Sequence, residues 1–255
     1  MLIIIVLAYN EERNIGTLLE NISALGHELG DYRVIVVDDG SRDGTVGIVN
    51  SYSKRIPVNV VSHTVNQGVG AAFRTGFSTA LARAQSGDVI VTMEADNTGD
   101  LKILDEMVRR VHAGDDVVLA SCYAKGGQVE GTNFWRKFLS SCANLLLVVV
   151  FPVPGVRTYS SFYRAYNSDT LRRAMDAYAG GLIEQAGFVC MAEMLVKMHR
   201  LGVRISEVPM RLRLGQRKGK STMQIGRTIR AYLSFILADF LHRKKVPISR
   251  RKINQ

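Results

Sequence analysis

Apolar, β-branched runs recur along the first half of this chain, and three of them stop at acidic residues. Val34-Ile35-Val36-Val37 ends at Asp38 and Asp39, the run 2–8 ends at Tyr9, Asn10 and Glu11, and Val89-Ile90-Val91 leads to Glu94 and Asp96. Between the runs lie segments whose apolar residues repeat every three or four positions, as at Ile15, Leu18, Leu19 and Ile22. The pattern predicts strands over 2–8, 32–37, 58–62, 88–93 and 116–120, with helices over 11–25, 45–52, 71–84 and 101–112 between them. Continuous apolar runs suit strands buried on both faces. Their alternation with helices predicts an α/β fold, a mostly parallel sheet flanked by helices. In such sheets ligands bind beyond the carboxyl ends of the strands. A single aspartate after a strand is ordinarily a turn former or helix cap, the role expected of Asp43 before Thr45. Three acidic strand ends converging on one crevice point instead to a binding site.

The second half is less regular. Residues 135–150 have helical character, 159–166 suits a strand, 182–201 reads as one long helix, and 203–208 as another strand. Met191, Met194, Leu195 and Met198 share a helix face, which is a packing signature. With 47 % hydrophobic residues the chain can build a sizeable core, and a formal net charge of +10 suits anionic partners such as nucleotides, phosphorylated substrates or lipid headgroups. The basic residues gather near the C-terminus without interleaved stacking aromatics, so nucleic-acid binding is not expected. Cys122, Cys142 and Cys190 form neither a CxxC pair nor an even framework, which points to a reducing, cytoplasmic setting. His27, His63, His112, His199 and His242 share no metal-ligand spacing. The apolar N-terminus lacks a basic leader and a cleavage site, so it reads as a strand and not as a signal peptide. The segment 143–154 falls short of the roughly 18 apolar residues of a membrane span and is broken by Pro152 and Pro154.

The clearest chemistry lies in Met93-Glu94-Ala95-Asp96-Asn97-Thr98. Alternate residues at a strand end point the same way, so Glu94 and Asp96 can share a hard divalent cation, Mg²⁺ or Mn²⁺. Phosphate and water would complete its shell; the plainer reading is a pair of exposed turn acids. Gly68 and Gly70 open a helix but follow the third strand, not the first, so a dinucleotide fingerprint does not fit. They either bring backbone close to a ligand or only make the turn. Three residues separate Gly215 from Gly219 where a phosphate-binding P-loop needs four. Arg211, Arg213, Arg217, Lys218 and Lys220 then read as a basic loop able to close over phosphates, or as a solvated charge run. Residues 225–252 carry a helical apolar stripe through Ile225, Ile229, Tyr232, Leu233, Ile236 and Phe240, and six basic residues follow between 243 and 252. Such a segment suits an anionic membrane surface, packing on its own domain, or a homodimer contact.

Taken together, LAYNEERNI, VVDDGSRDGT, NQGVGAAFRTGF, MEADNTGD, VRTYSSFYRAY and ISEVPMRLR, in this order and spacing, resemble the family 2 glycosyltransferases of GT-A fold. The likeness spans about residues 1–230 and is nearest to the dolichyl- and polyprenyl-phosphate mannosyl- and glucosyltransferases. It implies a Rossmann-like GT-A domain over 1–222, followed by an amphipathic helix and polybasic tail over 223–255. It also implies a nucleotide-sugar donor (GDP-mannose or a UDP-sugar), a polyprenyl phosphate acceptor, inversion at the anomeric carbon, and Mg²⁺ or Mn²⁺. On that resemblance Tyr9, Glu11 and Asp39 hold the nucleoside with Asp38 beside them, and Asp96 with Glu94 forms the metal-binding acid motif. Arg136 and Ser140 match positions that meet the acceptor phosphate, and 211–221, with Arg217 and Lys220, matches a mobile loop over the donor. Asp96, Arg136 and Ser140 are thus the candidate catalytic residues. The setting implied is cytoplasmic, peripheral to a membrane face, and compatible with a homo-oligomer. The chain departs from the subgroup at Glu94, Cys122, Thr158, Phe162 and Thr222, where Asp, Arg, Asp, Gly and Lys are usual, and Leu7-Ala8 replaces its proline. Two alternatives stay open: a soluble hydroxyl acceptor, with Glu184 or Glu193 as base, or a non-catalytic sugar-nucleotide binder.

Overall fold

The computed structural model describes residues 1–219 and 225–242. Its strands are β1 (Leu2–Ala8), β2 (Tyr32–Asp38), β3 (Val58–Ser62), β4 (Val89–Glu94), β5 (Val117–Ser121), β6 (Gln128–Glu130), β7 (Arg164–Asn167), β8 (Ile205–Pro209) and β9 (Arg211–Arg213). Its helices are α1 (Ile15–Leu29), α2 (Thr45–Tyr52), α3 (Val69–Leu81), α4 (Leu104–His112), α5 (Phe134–Val150), α6 (Ser168–Ala177), α7 (Cys190–Arg200) and α8 (Ile225–His242). Seven strands make one sheet in the order β3-β2-β1-β4-β7-β5-β8. Every pairing in it is parallel except those of β7, which runs antiparallel between β4 and β5.

The pleat sorts the core into two layers. Ile3, Ile5, Leu7, Ile35 and Val37 face one side, under α3, α6, α7 and part of α8. Ile4, Val6, Val34 and Val36 face the other, under α1, α2 and α4. Every residue of β1 is buried, because helices cover both faces of a central parallel strand. Each fully buried Ile or Val side chain stabilises the sheet by about 1.5–3 kcal/mol relative to exposure. Strand order reverses at β1, since β2 and β3 lie to one side and β4 to the other. A crevice opens where connections leave such a reversal in opposite directions.

The structure corrects two readings of the second half and adds three elements. Residues 182–201 are not one helix: α7 is confined to Cys190–Arg200, and 182–189 form a loop. The buried Glu193 carboxylate accepts the Glu184 and Gln185 amides, both at 2.9 Å, and holds that loop off the helix axis. Only the end of 159–166 is strand: Tyr159 is buried in the core, and Ser160 to Tyr163 line a pocket before β7 begins. Helix α6 and the short parallel pair β6–β9 carry patterns too brief to read from periodicity. Helix α8 lays Tyr232 and Phe235 into the core and is tied to α7 by two 2.7 Å contacts between Arg200 and Asp239. Among the described residues no helix is long and apolar enough to cross a membrane.

Candidate active site

The three acidic strand ends meet at the reversal point. The Asp39 amide donates to the Ala8 carbonyl at 2.9 Å and the Ala95 amide to the Leu7 carbonyl at 3.1 Å, so the ends of β2, β1 and β4 lie level. Above them opens a cleft of about 330 Å³ whose lining includes Tyr9, Glu11, Asp39, Glu94, Asp96 and Arg217. Tyr9 is followed by Asn10 at φ 54, a left-handed conformation that asparagine tolerates. That turn is locked by the Asn10 amide on Ser41 Oγ and by the Arg42 amide on Asn10 Oδ1, both at 2.8 Å.

Asp39 is held from three directions. Its Oδ1 accepts from the Gln67 amide at 2.9 Å and from His63 Nδ1 at 2.7 Å, and its Oδ2 accepts from the Gly68 amide at 2.9 Å. The Gly-rich turn thus serves the aspartate directly. Gly68 sits at φ 88, and a Cβ on Gly70 would lie 2.0 Å from the Gln185 carbonyl oxygen. The close approach expected of these glycines is therefore to the 184–186 loop. Asp38 goes elsewhere: its buried carboxylate accepts the Ser41 amide at 3.2 Å and closes the turn, and it does not line the cleft.

Asp96 and Glu94 face a shared space with Glu11. Thr98 donates to Asp96 Oδ1 from its amide at 3.0 Å and its hydroxyl at 2.7 Å, while Asp96 Oδ2 turns toward Arg217 at 3.5 Å. Arg217 Nη2 donates to Glu11 Oε1 at 2.7 Å, and Asn14 Nδ2 donates to Glu11 Oε2 at 2.6 Å. Burial pushes Glu11 above the usual carboxylate range even so, although Asn14 and Arg217 pull it down. Glu94 accepts no hydrogen bond from a described residue, and burial, followed by the charge of Asp96, pushes it up to about 8. Three acids against one guanidinium leave an excess of negative charge in a poorly hydrated space. A hard cation would relieve it, so the donor set fits Mg²⁺ or Mn²⁺. Among the described residues no cluster of three side-chain ligands exists, so phosphate and water oxygens must supply the rest.

The basic loop lies over this space. Besides the Arg217 contacts, the Lys218 amide donates to Asn14 Oδ1 at 2.9 Å and Asn14 Nδ2 donates to the Lys218 carbonyl at 3.0 Å. Asn14 is a buried clamp that motif reading did not single out. Lys220 lies outside the described residues, and so does the side chain of Arg136. Ser140 lines the far end of the cleft with Lys137 and shares a 3.1 Å hydrogen bond with Tyr123. Lys137 carries the signal of a cation one residue from Arg136 on a helix that meets the cleft. Cys122 lies there too, its thiol pushed up to about 11 chiefly by burial. Thr158 is buried, and its amide and that of Arg157 donate to Glu207 Oε1 at 2.7 Å each. Neither Glu184 nor Glu193 reaches the cleft: Glu184 pairs with Lys197 at the surface, and Glu193 is 1 % exposed and spent on the 184–186 loop.

A parallel sheet with acids at its reversal point, a Gly-rich turn beside them and a basic loop above is the arrangement of the GT-A fold. A family model described as Glycosyl transferase family 2 matches residues 3–173, and the chain belongs to that family. It is 30 % identical over 91 % of its length to a dolichol-phosphate mannosyltransferase of Pyrococcus furiosus, of which it spans 62 %. It is 30 % identical to a polyprenol monophosphomannose synthase of Mycolicibacterium smegmatis, covering 81 % of this chain and 75 % of that one. Identity to an undecaprenyl-phosphate mannosyltransferase of Micrococcus luteus is 32 %, covering 80 % of each. The fold also matches the solved structure of glucosyl-3-phosphoglycerate synthase from Mycobacterium tuberculosis with UDP. That match has a TM-score of 0.67 at 21 % identity and covers 98 % of this chain and 82 % of that one.

Proposed function

We propose that this chain transfers a hexose from a nucleoside diphosphate to a polyprenyl phosphate at a membrane surface. One observation carries the choice of acceptor. The carboxylates lining the cleft, Glu11, Asp39, Glu94 and Asp96, all stand at the strand ends; the far end offers Lys137, Ser140 and Tyr123 and, among the described residues, no acid. A hydroxyl acceptor needs a base to take its proton, whereas a phosphate arrives ionised and needs only cations to position it. The three sequence relatives, named for dolichol, polyprenol and undecaprenyl phosphates, support the same reading.

In this reading Tyr9, Glu11 and Asp39 hold the nucleoside. Asp96 with Glu94 holds Mg²⁺ or Mn²⁺, which when bound offsets charge on the diphosphate. Arg217 and Lys220 add positive charge as the sugar–phosphate bond breaks. Arg136, Lys137 and Ser140 hold the acceptor phosphate so that one oxygen meets the anomeric carbon opposite the leaving group. That displacement inverts the centre. The lipid would enter across α5 and α8. Phe134, Trp135 and Phe138 are 72 %, 71 % and 50 % exposed on α5, and Leu233, Leu237 and Phe240 are exposed on α8. Both helices line the cleft, through Ser140 and Ala143 on α5 and Thr228 and Ile229 on α8, and Phe151, just after α5, packs in the core against Phe235 of α8 with ring centroids 5.3 Å apart. An exposed aromatic and aliphatic face on a chain of net charge +10 suits an anionic bilayer surface. In this arrangement α8 belongs to the domain through Tyr232 and Phe235, so the expected division into 1–222 and 223–255 does not separate two packing units, and only the outer face of α8 is turned to the membrane.

The test is transfer of labelled sugar to short polyprenyl phosphates beside a panel of soluble hydroxyl acceptors, with flotation on anionic liposomes. Transfer to the lipid phosphate is expected, nearly abolished in Arg136→Ala with donor affinity unchanged. Flotation should fail in Trp135→Ala/Phe138→Ala. Transfer confined to hydroxyl acceptors would sink the proposal, and donor binding without transfer to anything would favour a non-catalytic binder.

A further inference from the structure

Two charged side chains that take no part in the donor chemistry end on the same short segment. Half-buried Glu207 of β8 accepts the Arg157 and Thr158 amides on Oε1, at 2.7 Å each. Arg164 of β7 is 1 % exposed; it donates from Nε to the Ser161 carbonyl at 2.7 Å and from Nη2 to the Tyr159 carbonyl at 3.0 Å. Hydrogen bonds with a charged partner are shorter and stronger than neutral ones. Residues 157–161 thus form a stiff bracket, clamped from two strands of the sheet.

The bracket grips α5. The Tyr159 amide donates to Asn144 Oδ1 at 3.0 Å, and Asn144 Nδ2 donates to the Arg157 carbonyl. The Tyr159 hydroxyl donates to the Phe151 carbonyl, just past the helix end. The helix has little else to fix it. Among its described side chains only Asn144 and Leu147 are buried, while Phe134, Trp135, Phe138, Leu145 and Val149 are exposed. Apolar packing is non-directional, so a seam this narrow constrains rotation about the helix axis weakly. Hydrogen bonds have a required direction, and those of Asn144 supply the constraint.

Rotation matters at the acceptor end of the cleft. Residues three, four and seven apart share a helix face, so Lys137, Ser140 and Asn144 stand on one side of α5, and all three line the cleft. At the outer radius of a helix, about 5–6 Å, a rotation of about 20° carries a side-chain tip about 2 Å. That is enough to break a contact to a phosphate oxygen. We propose that Asn144 is a positioning residue for the acceptor. Through the 157–161 bracket it sets the rotation of α5 and so aims Lys137 and Ser140 at the acceptor phosphate, an inference that rests on the polyprenyl phosphate reading above. Glu207 and Arg164 act one step further back, by holding the bracket.

Trp135, the one tryptophan of the chain, lies on α5 and reports on it. The test is titration of the full chain with a short, water-soluble polyprenyl phosphate, followed by Trp135 emission and by steady-state transfer. Asn144→Leu keeps the branch at Cγ and neither hydrogen bond. It should raise the acceptor KM and the midpoint of the Trp135 titration about tenfold, with affinity for nucleoside diphosphate and metal unchanged. Asn144→Asp still accepts from Tyr159 but no longer donates to Arg157, and should lose about threefold. Glu207→Gln, whose amide oxygen can still accept, should stay within about twofold of the parent. A double-mutant cycle separates aiming from general support of the fold: in a Lys137→Ala background the effect of Asn144→Leu should shrink to about threefold or less. An acceptor KM unmoved by Asn144→Leu, an equal loss in both backgrounds, or a parallel loss of donor affinity would overturn the positioning role and leave the acceptor reading standing. If circular dichroism shows that Asn144→Leu does not fold, Asn144→Asp takes its place in the cycle under the same criteria. A parent chain that ignores polyprenyl phosphate and transfers to hydroxyl acceptors would remove the acceptor reading, and this inference with it.

Discussion

At the scale of single residues, burial decides what each acid can do. Asp38 and Asp39 are neighbours with opposite fates, because successive side chains at a strand end diverge: one closes a turn and the other faces the cleft. Glu94 makes the sharpest prediction. Its carboxyl is raised from 4.5 to about 8 by burial and by Asp96, so the folded chain holds a proton there that the unfolded chain releases. Stability from this group is complete below about pH 4.5 and is lost as pH rises toward 8. In chelator, the thermal midpoint should therefore fall across that window, and Glu94→Gln should flatten the fall. Added Mn²⁺ should restore the midpoint at pH 8, and Asp96→Asn should abolish that rescue. A midpoint indifferent to pH in chelator would remove the argument. Glu193 is the contrasting case: acidic and near the site in sequence, it is a buried peg for a loop and a poor candidate for a base.

Among the elements, the basic loop is the one whose role depends on what fills the cleft. Arg217 spans Glu11 and Asp96, where a cation and a diphosphate would compete for the same oxygens. Arg217→Ala should therefore bind Mn²⁺ alone more tightly than the parent chain. The same variant should bind a nucleoside diphosphate more weakly, by about tenfold for one lost charge-assisted contact. Calorimetry with metal alone, then with metal and nucleotide, separates the two effects. Parallel losses in both would mean that Arg217 only supports the fold. Helix α5 has a similar double character, burying Leu147 while Leu145, Leu146 and Val149 stay exposed. A helix this apolar on its outer face is not explained by packing within its own domain.

For the whole molecule, the sheet and its two apolar layers set the stability on which the cleft rests. Phe77 is fully buried between Phe73, at a centroid distance of 5.6 Å, and Tyr166, edge-on at 5.3 Å. Truncation there leaves a cavity in a layer that cannot close around it, so Phe77→Ala should cost about 3–5 kcal/mol in denaturant unfolding. Nucleotide affinity, measured well below the new midpoint, should be unchanged. A loss below 1 kcal/mol, roughly the cost of an ordinary surface change, would contradict the layered core described above.

The amino-acid sequence by itself determined the parallel half of the sheet, the helices between its strands and the three acidic strand ends. Those features follow from local periodicity and from where apolar runs stop, and neighbouring residues encode both. It also carried the order of motifs by which the family is legible. Contacts between distant segments were decided only in three dimensions. The antiparallel insertion of β7, the break at 182–189 held by Glu193, and the clamp of Asn14 on Lys218 each join residues from separate parts of the chain. The same holds for His63 on Asp39, 24 positions apart, which no spacing rule connects. A periodic pattern reports which face of an element is buried. It does not report which distant side chain will bind a given carboxylate, because that depends on the register in which whole elements pack.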